Sequence, residues 1–136
     1  MIVLDRDVLA KITGREPNEA ILSHLGQYRR EEWTIPAVVA WESYKASADR
    51  TEMLRTQRVL DDQFDRVLDF TDDCALEAAY LDEQLREQEI QLDPADLLNL
   101  ATAHAAGGTF LTHNARDFDK PPLYDLVDLD VVVTDS

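Results

Sequence analysis

Five short, mostly apolar segments alternate with stretches of helical periodicity, and this alternation limits the fold of the chain more than any other feature. The segments are residues 2–4, 33–35, 67–70, 109–111 and 131–133. Runs of this kind are typical of strands that are buried on both faces of a sheet. Because helices separate the strands, we predict an α/β fold, a three-layer α/β/α sandwich with a mainly parallel sheet.

Proline residues mark the starts of two predicted helices. Pro36 opens a helix that carries Glu42, and the pair Asp93-Pro94 supplies a cap and a first helical residue for another. The second of these helices is predicted to end at Gly107, because glycine readily ends helices. Both helices are largely apolar, so we expect them to pack against the sheet.

The chain has 136 residues, 45% of them hydrophobic, which suffices for a single domain over residues 1–136 with a buried core. Its one cysteine, Cys74, excludes an internal disulfide and a cysteine-based zinc site. The apolar N-terminus reaches Asp5 too soon for a signal peptide, and no apolar run approaches the roughly 20 residues of a membrane span. We therefore expect a cytoplasmic protein with no membrane partner.

The chain is strongly acidic, with 28 Asp and Glu residues against 13 Lys and Arg residues and a net charge of −15. One interpretation is a partner of basic proteins, and the other is a halophilic protein adapted to molar salt. Salt adaptation explains more, because repulsion between carboxylates is screened to within about 3 Å at 1 M salt. In such salt, a negative chain is also less strongly excluded from nucleic acid.

Polar side chains follow two of the predicted strands directly. Asp5 comes after the first strand, and Thr112, Asn114 and Asp117 come after the strand that ends at Leu111. In open parallel sheets, ligands bind beyond the carboxyl ends of the strands. We therefore expect these side chains to meet at one edge of the sheet.

Two further carboxylates, Glu42 and Asp96, interrupt apolar helices. Burial of a carboxylate is costly unless it is paired or binds a metal, and carboxylates that converge raise one another's pKa values. A divalent cation removes this conflict, and oxygen ligands without His or Cys suit Mg²⁺ or Mn²⁺. Metals held by carboxylates at the edge of a sheet are suited to phosphate chemistry.

Each of these residues also has a purely structural interpretation. Asp5 and Asp93 could each cap a helix or turn, and Asp96 could complement a helix dipole. Asn114 could be a turn residue, and Asp117 could cap a final helical turn.

Four motifs, taken in order, resemble the PIN-domain family and most closely its VapC-type toxins. Residues 2–9 form an apolar strand that ends in Asp, and residues 35–42 lead from Ile-Pro to a glutamate. Residues 96–103 place an Asp at the head of an alanine-rich helix, and residues 110–118 form a strand followed by Thr and a terminal Asp-Phe. No single motif is specific, but the ordered set spans nearly the whole chain.

The resemblance implies Mg²⁺- or Mn²⁺-dependent hydrolysis of RNA that leaves a 5′-phosphate and a 3′-hydroxyl. It also implies a homodimer and inhibition by a small antitoxin protein. Carried over residue by residue, it makes Asp5 and Asp96 the principal metal ligands. The residues that complete the acidic ring or position water or a ligand are Glu42, Asp117, Thr112 and Asn114.

The chain departs from the family pattern at three places, one of which is the absence of the glycine that often follows the Glu42 position. Arg6 stands where Ser or Thr is usual, which removes a hydroxyl and adds a cation beside the expected metal. Asn99 and Leu100 replace the usual pair of an apolar residue and an alanine.

Arg6, Lys45 and Arg50 are the cations that we expect to contact RNA phosphates. An equally supported alternative is that the cations around Glu42 form ordinary helix salt bridges with neighbouring acidic residues.

Two other functions fit parts of the sequence. The run Asp5-x-Asp7 after an apolar strand resembles the nucleophile motif of haloacid-dehalogenase-type phosphatases, but the one lysine after position 45 is Lys120, in a proline-flanked turn. A catalytically degenerate PIN fold that binds RNA or protein is the other alternative, and Arg6 favours it.

Overall fold

A computed structural model describes residues 1–134, and its strands and helices alternate as the sequence predicts. The last two residues of the predicted domain, 135 and 136, lie outside the described residues. The strands are β1 (Ile2–Leu4), β2 (Trp33–Pro36), β3 (Arg66–Leu68), β4 (Thr109–Thr112) and β5 (Leu129–Val131). The helices are α1 (Arg6–Ile12), α2 (Glu19–Leu25), α3 (Ala37–Lys45), α4 (Arg50–Gln63), α5 (Asp72–Glu87), α6 (Pro94–Ala105), α7 (Ala115–Phe118) and α8 (Pro121–Leu126). Across residues 1–134, none of these helices combines the length and the apolar character needed to cross a membrane.

The five strands form one sheet in the order β3-β2-β1-β4-β5, and every neighbouring pair is parallel. The chain runs outwards from β1 through β2 to β3, then crosses to the other side of β1 for β4 and β5. The strand order therefore reverses between β1 and β4. In open parallel sheets, such a reversal opens a crevice beyond the carboxyl ends of the two strands, where ligands bind.

Alternate residues of β1 point into two separate cores, as the twofold repeat of a strand requires. Ile2 and Leu4 belong to a cluster with side chains of α1 to α4, whereas Val3 belongs to a cluster with side chains of α5, α6 and α8. All three strand residues are fully buried. The predicted three-layer α/β/α sandwich is confirmed, and its sheet is parallel throughout.

Two predicted strands have the wrong bounds. The third was predicted over residues 67–70, but β3 ends at Leu68 because Asp69 and Phe70 are exposed and Thr71 caps α5. The last was predicted over residues 131–133, but β5 ends at Val131, and Val133 is 73% exposed.

Helices α1 and α8 were not predicted. Helix α1 follows β1 without a loop, and it contributes the buried residues Val8 and Leu9. Helix α8 begins at Pro121 in the segment that was interpreted as a proline-flanked turn. Proline is common both in turns and at the first position of a helix, so the same residues fit the predicted turn and the observed helix α8.

The close packing of the turn between α6 and β4 against β1 leads to a prediction about the free energy of unfolding. Gly107 has φ 74°, and a Cβ added at Gly108 would lie 2.7 Å from Val3 Cγ2 and 3.3 Å from the Met1 carbonyl oxygen. We expect Gly108→Ala to lower the free energy of unfolding by about 1–3 kcal/mol through overpacking against β1. Denaturant unfolding measures the change.

Gly26→Ala is the matched control, because nothing lies within 4 Å of a Cβ added at Gly26. We expect this control to stay within about 0.5 kcal/mol of the parent chain. Equal stability of the two variants would contradict the close approach of Gly108 to β1.

Candidate active site

Asp5 lies directly after β1 and is buried, with 5% of its surface exposed. Its Oδ2 accepts a hydrogen bond from Thr112 Oγ1 at 2.8 Å, and its Oδ1 accepts one from the Arg6 backbone N–H at 2.8 Å. Burial and the nearby carboxylate of Asp7 raise the pKa of Asp5 to about 7, against the effect of these two hydrogen bonds. Asp5 is therefore a carboxylate that lacks compensating positive charge.

Asp7 joins α1 to the loop after β4. The backbone N–H of Val8 donates to Asp7 Oδ1 at 2.8 Å, and the backbone N–H of His113 lies 3.2 Å from both oxygens. Asp7 was given a chemical role only in the phosphatase alternative, although it also belongs to the first PIN-like motif. It nonetheless lines the same cavity as Asp5.

Glu42 projects from α3, the helix that Pro36 precedes, and it is half-buried. Its Oε1 accepts a hydrogen bond from Asn99 Nδ2 of α6 at 3.0 Å. The glutamate lines an open cavity, so it is only partly removed from water.

Asp96 lies in the first turn of α6 and is half-buried. Burial, and then the carboxylates of Asp117, Asp93 and Glu42, raise the pKa of Asp96 to about 6. Asp93, Asp96 and Asp117 each offer an oxygen atom, and these three atoms lie within 4.8 Å of one another. The three carboxylates that raise the pKa of Asp96 most thus come from three segments of the chain, α3, the start of α6 and α7.

Asp93 corrects one structural interpretation. It occupies the N-cap position of α6, but its side chain accepts no hydrogen bond from the backbone there. Its carboxylate lies instead beside those of Asp96 and Asp117.

Asn114 caps α7 and holds Asp117. Asn114 Oδ1 accepts from the Asp117 backbone N–H at 3.3 Å, and Asn114 Nδ2 donates to Asp117 Oδ2 at 2.8 Å. Thr112 Oγ1 in turn accepts from the Asn114 backbone N–H at 3.1 Å. The alternative in which Asp117 caps this helical turn is therefore wrong, since Asn114 supplies the cap. Thr112 at the end of β4, Asn114 and Asp117 form one connected group.

A cavity of about 290 Å³ opens at this edge of the sheet. Its lining consists of Asp5, Arg6, Asp7, Ala10, Glu42, Asp96 and Asn114. Arg6 is the one cation in the lining formed by the described residues.

The other two cations expected to contact RNA lie elsewhere. Lys45 Nζ sits 4.3 Å from the centre of the Trp41 ring, and Arg50 lines a separate pocket with Tyr44 and Met53. Neither residue belongs to the lining of the acidic cavity.

The donor set of this site fits a hard divalent cation. The carboxylates supply oxygen atoms alone, and the raised pKa values of Asp5 and Asp96 reflect burial first and then the negative charge of neighbouring carboxylates. Mg²⁺ and Mn²⁺ prefer such oxygen ligands. An ion held there would stabilise negative charge on a phosphate and lower the pKa of a bound water.

Of the predicted site residues, Asp5, Glu42, Asp96 and Asn114 line the cavity, while Thr112 and Asp117 adjoin it through hydrogen bonds. Asp7, Asp93 and Asn99 were missed as parts of the site. A signal for Asp93 was available, because residues three apart on a helix share a face, which brings Asp93 near Asp96.

A sequence model of the PIN domain family matches residues 2–122. Comparison with curated protein sequences gives no match. The family match covers every segment that contributes to the cavity.

Solved structures of similar fold cover nearly the whole chain. FitAcB from Neisseria gonorrhoeae is 20% identical over 95% of this chain and 96% of that chain, with a TM-score of 0.72. VapBC2 from Rickettsia felis, bound to a DNA fragment from its promoter, is 20% identical over 96% and 98%, with a TM-score of 0.73. VapBC-1 from nontypeable Haemophilus influenzae is 17% identical over 98% and 100%, with a TM-score of 0.75. At this level of identity, the likeness establishes the shared fold.

Proposed function

The chain belongs to the PIN domain family, whose members are generally nucleases, and from that membership we propose that it is a metal-dependent endoribonuclease. We further propose that it is the toxin of a VapBC-type toxin–antitoxin pair and that residues 1–136 act as a single domain. The observation that carries the nuclease proposal is the convergence of carboxylates from distant segments on one cavity with one arginine.

In this proposal, Asp5 and Asp96 are the principal ligands of Mg²⁺ or Mn²⁺, and Glu42 and Asp117 complete the acidic ring. These residues would hold an ion that, when bound, would neutralise charge at the scissile phosphate and lower the pKa of a water molecule. Thr112 fixes the orientation of Asp5 by donating to Oδ2 at 2.8 Å. The protein thus fixes its acidic side chains before substrate binds, which reduces reorganisation during the reaction.

Asn114 orients Asp117 in the same way, through the hydrogen bond from Nδ2 to Asp117 Oδ2 at 2.8 Å. Arg6 is exposed and lines the acidic cavity, so it can pair with a phosphate of the RNA beside the carboxylates. Lys45 and Arg50 lie outside the cavity and can contact only more distant phosphates, if the RNA extends along α3 and α4.

The phosphatase alternative fits the site less well. Its reaction needs a lysine beside the nucleophilic aspartate, and the cavity lining contains none among the described residues. Lys120, the lysine considered for that role, occupies the N-cap position of α8 and does not line the cavity. We therefore favour phosphodiester hydrolysis over an aspartyl-phosphate mechanism.

We propose a small antitoxin as the protein partner, as in the VapBC and FitAB complexes of similar fold. A groove of about 460 Å³ between α1, α3 and α4 shares Arg6 and Ala10 with the acidic cavity. An antitoxin segment seated in that groove would lie against the entrance to the carboxylates. A second copy of the chain, forming a homodimer, and a cytoplasmic RNA substrate complete the proposed partners.

We expect the wild-type protein to cleave RNA when Mg²⁺ or Mn²⁺ is present and to stop when EDTA removes the ion. The assay follows a labelled single-stranded RNA in molar KCl, because the charge of −15 predicts a halophilic chain that needs salt screening to stay folded.

Two controls separate the alternatives. A phosphatase would release phosphate from a small phosphate ester and leave the RNA intact. A degenerate binding module would retain RNA equally with and without EDTA and cleave neither substrate. Either result, obtained with folded protein, would overturn the nuclease proposal.

A further inference from the structure

Asn99 is a buried polar residue on α6, one turn after Asp96. Its surface is 1% exposed. Its Nδ2 donates to Glu42 Oε1 at 3.0 Å, which is the hydrogen bond that joins α6 to α3 at the cavity. Among residues 1–134, Asn99 Oδ1 is the one buried side-chain polar atom without a hydrogen-bond partner.

The packing of α6 does not explain an asparagine at this position. Burial of an acceptor without a partner destabilises the folded state, whereas an apolar residue of similar shape avoids that cost. Thr102 on the same helix is equally buried, but its hydroxyl donates to the Leu98 carbonyl oxygen at 2.7 Å and is satisfied. Asn99 therefore carries a stability cost that its neighbour does not.

The contact with Glu42 provides the reason for an asparagine that the packing of α6 does not provide. A glutamate side chain has three rotatable bonds, and a half-buried one that faces an open cavity samples several rotamers unless something holds it. The Asn99 amide occupies one carboxylate oxygen of Glu42, so the other oxygen stays available to the cavity. The bond also ties the position of Glu42 to the helix that carries Asp96.

We propose that Asn99 is a positioning residue that sets the orientation of Glu42 relative to Asp96 for metal binding, a role that rests on the proposed metal-dependent function. Asn99 touches neither substrate nor ion in this role and acts through Glu42 alone. Replacement of Asn99 by an apolar residue should therefore raise the stability of the protein and lower its affinity for metal.

The test is Asn99→Leu, which keeps the side-chain volume and removes both the donor and the partnerless oxygen. We expect the Tm of the metal-free protein to rise by about 2–4 °C. We expect the affinity for Mn²⁺, measured by calorimetry, to fall about tenfold. In RNA cleavage, kcat should fall by a similar factor while KM for the RNA stays unchanged.

Thr102→Val is the matched control, because it removes a buried hydroxyl from α6 that bonds only to the helix backbone. We expect it to leave the Mn²⁺ affinity unchanged. Glu42→Gln and Asn99→Leu together form a double-mutant cycle. In the Glu42→Gln background, Asn99→Leu should lower the Mn²⁺ affinity no further, because the group that Asn99 positions has lost its charge.

Asn99→Gln, which keeps the amide donor on a longer side chain, should recover part of the Mn²⁺ affinity lost in Asn99→Leu. The positioning role is overturned if Asn99→Leu binds Mn²⁺ as the wild type does, or if its Tm and Mn²⁺ affinity fall together. If the wild type binds Mn²⁺ but cleaves no RNA, while Asn99→Leu still lowers that binding, the nuclease proposal fails and the positioning role stands.

Discussion

Replacement of Asp5 by asparagine is expected to reduce the rate of RNA cleavage by more than about 100-fold. Loss of a residue that only supports a metal ligand costs up to about 100-fold, and loss of a proposed ligand should cost more. The substitution keeps the shape of a buried side chain and removes its charge. Asp5 is the most buried acidic residue in the lining of the cavity. Single-turnover cleavage at saturating Mn²⁺ in molar KCl measures the loss.

Asp62→Asn is the matched control for Asp5→Asn. Asp62 is an exposed acidic residue on α4, and it does not line the cavity. The control changes the net charge by the same amount and should cleave at the wild-type rate. If Asp5→Asn also cleaves at that rate, the assignment of the metal site to the end of β1 is wrong.

Metal-free protein is expected to lose stability as the pH rises from 4 to 7. The pKa of Asp5 is raised from 3.8 to about 7 and that of Asp96 to about 6, so in this range the folded chain binds more protons than the unfolded chain. Stability then falls with rising pH, is highest below pH 4 for these two groups, and reaches its minimum once both are ionised. For Asp5 alone, the shift corresponds to about 4 kcal/mol.

Denaturant unfolding in EDTA across this pH range measures the effect. Asp5→Asn should flatten the pH dependence, which separates the contribution of Asp5 from the general repulsion of an acidic chain. Mg²⁺ or Mn²⁺ should restore stability in the wild type at pH 8, since a ligand that binds only the folded state stabilises it. An unchanged slope in Asp5→Asn would mean that Asp5 is ionised at little cost in the folded chain.

The strands and helices that the sequence predicts well are those whose pattern is decided locally. Residues 2–4 are wholly apolar and form β1, and Pro94 begins α6 where a proline at the first helical turn is expected. The last strand was misplaced because its pairing depends on distant residues. Asp130 lies within β5, where His24 Nε2 and the Tyr28 hydroxyl both contact its carboxylate, and no local pattern reveals those partners.

The residues of the candidate site also fall into those with a local sequence signal and those without one. Asp5 and Asp96 could be predicted because a carboxylate after a buried strand or on an apolar helix stands out against its neighbours. Asp7 and Asp93 were missed because each also has an ordinary structural place at the start of a helix. Asn99 was noticed only as a departure from a family pattern, since its contact with Glu42 spans 57 residues of sequence.

The reversal of strand order between β1 and β4 has a consequence for synthesis on the ribosome. Thr112, which donates to the carboxylate of Asp5, belongs to β4 and emerges more than 100 residues after Asp5. A nascent chain that ends before β4 therefore carries Asp5 and Glu42 without the strand that completes the crevice around them. The acidic centre can form only after β4 has been synthesised, so a chain that ends before β4 lacks part of the candidate site.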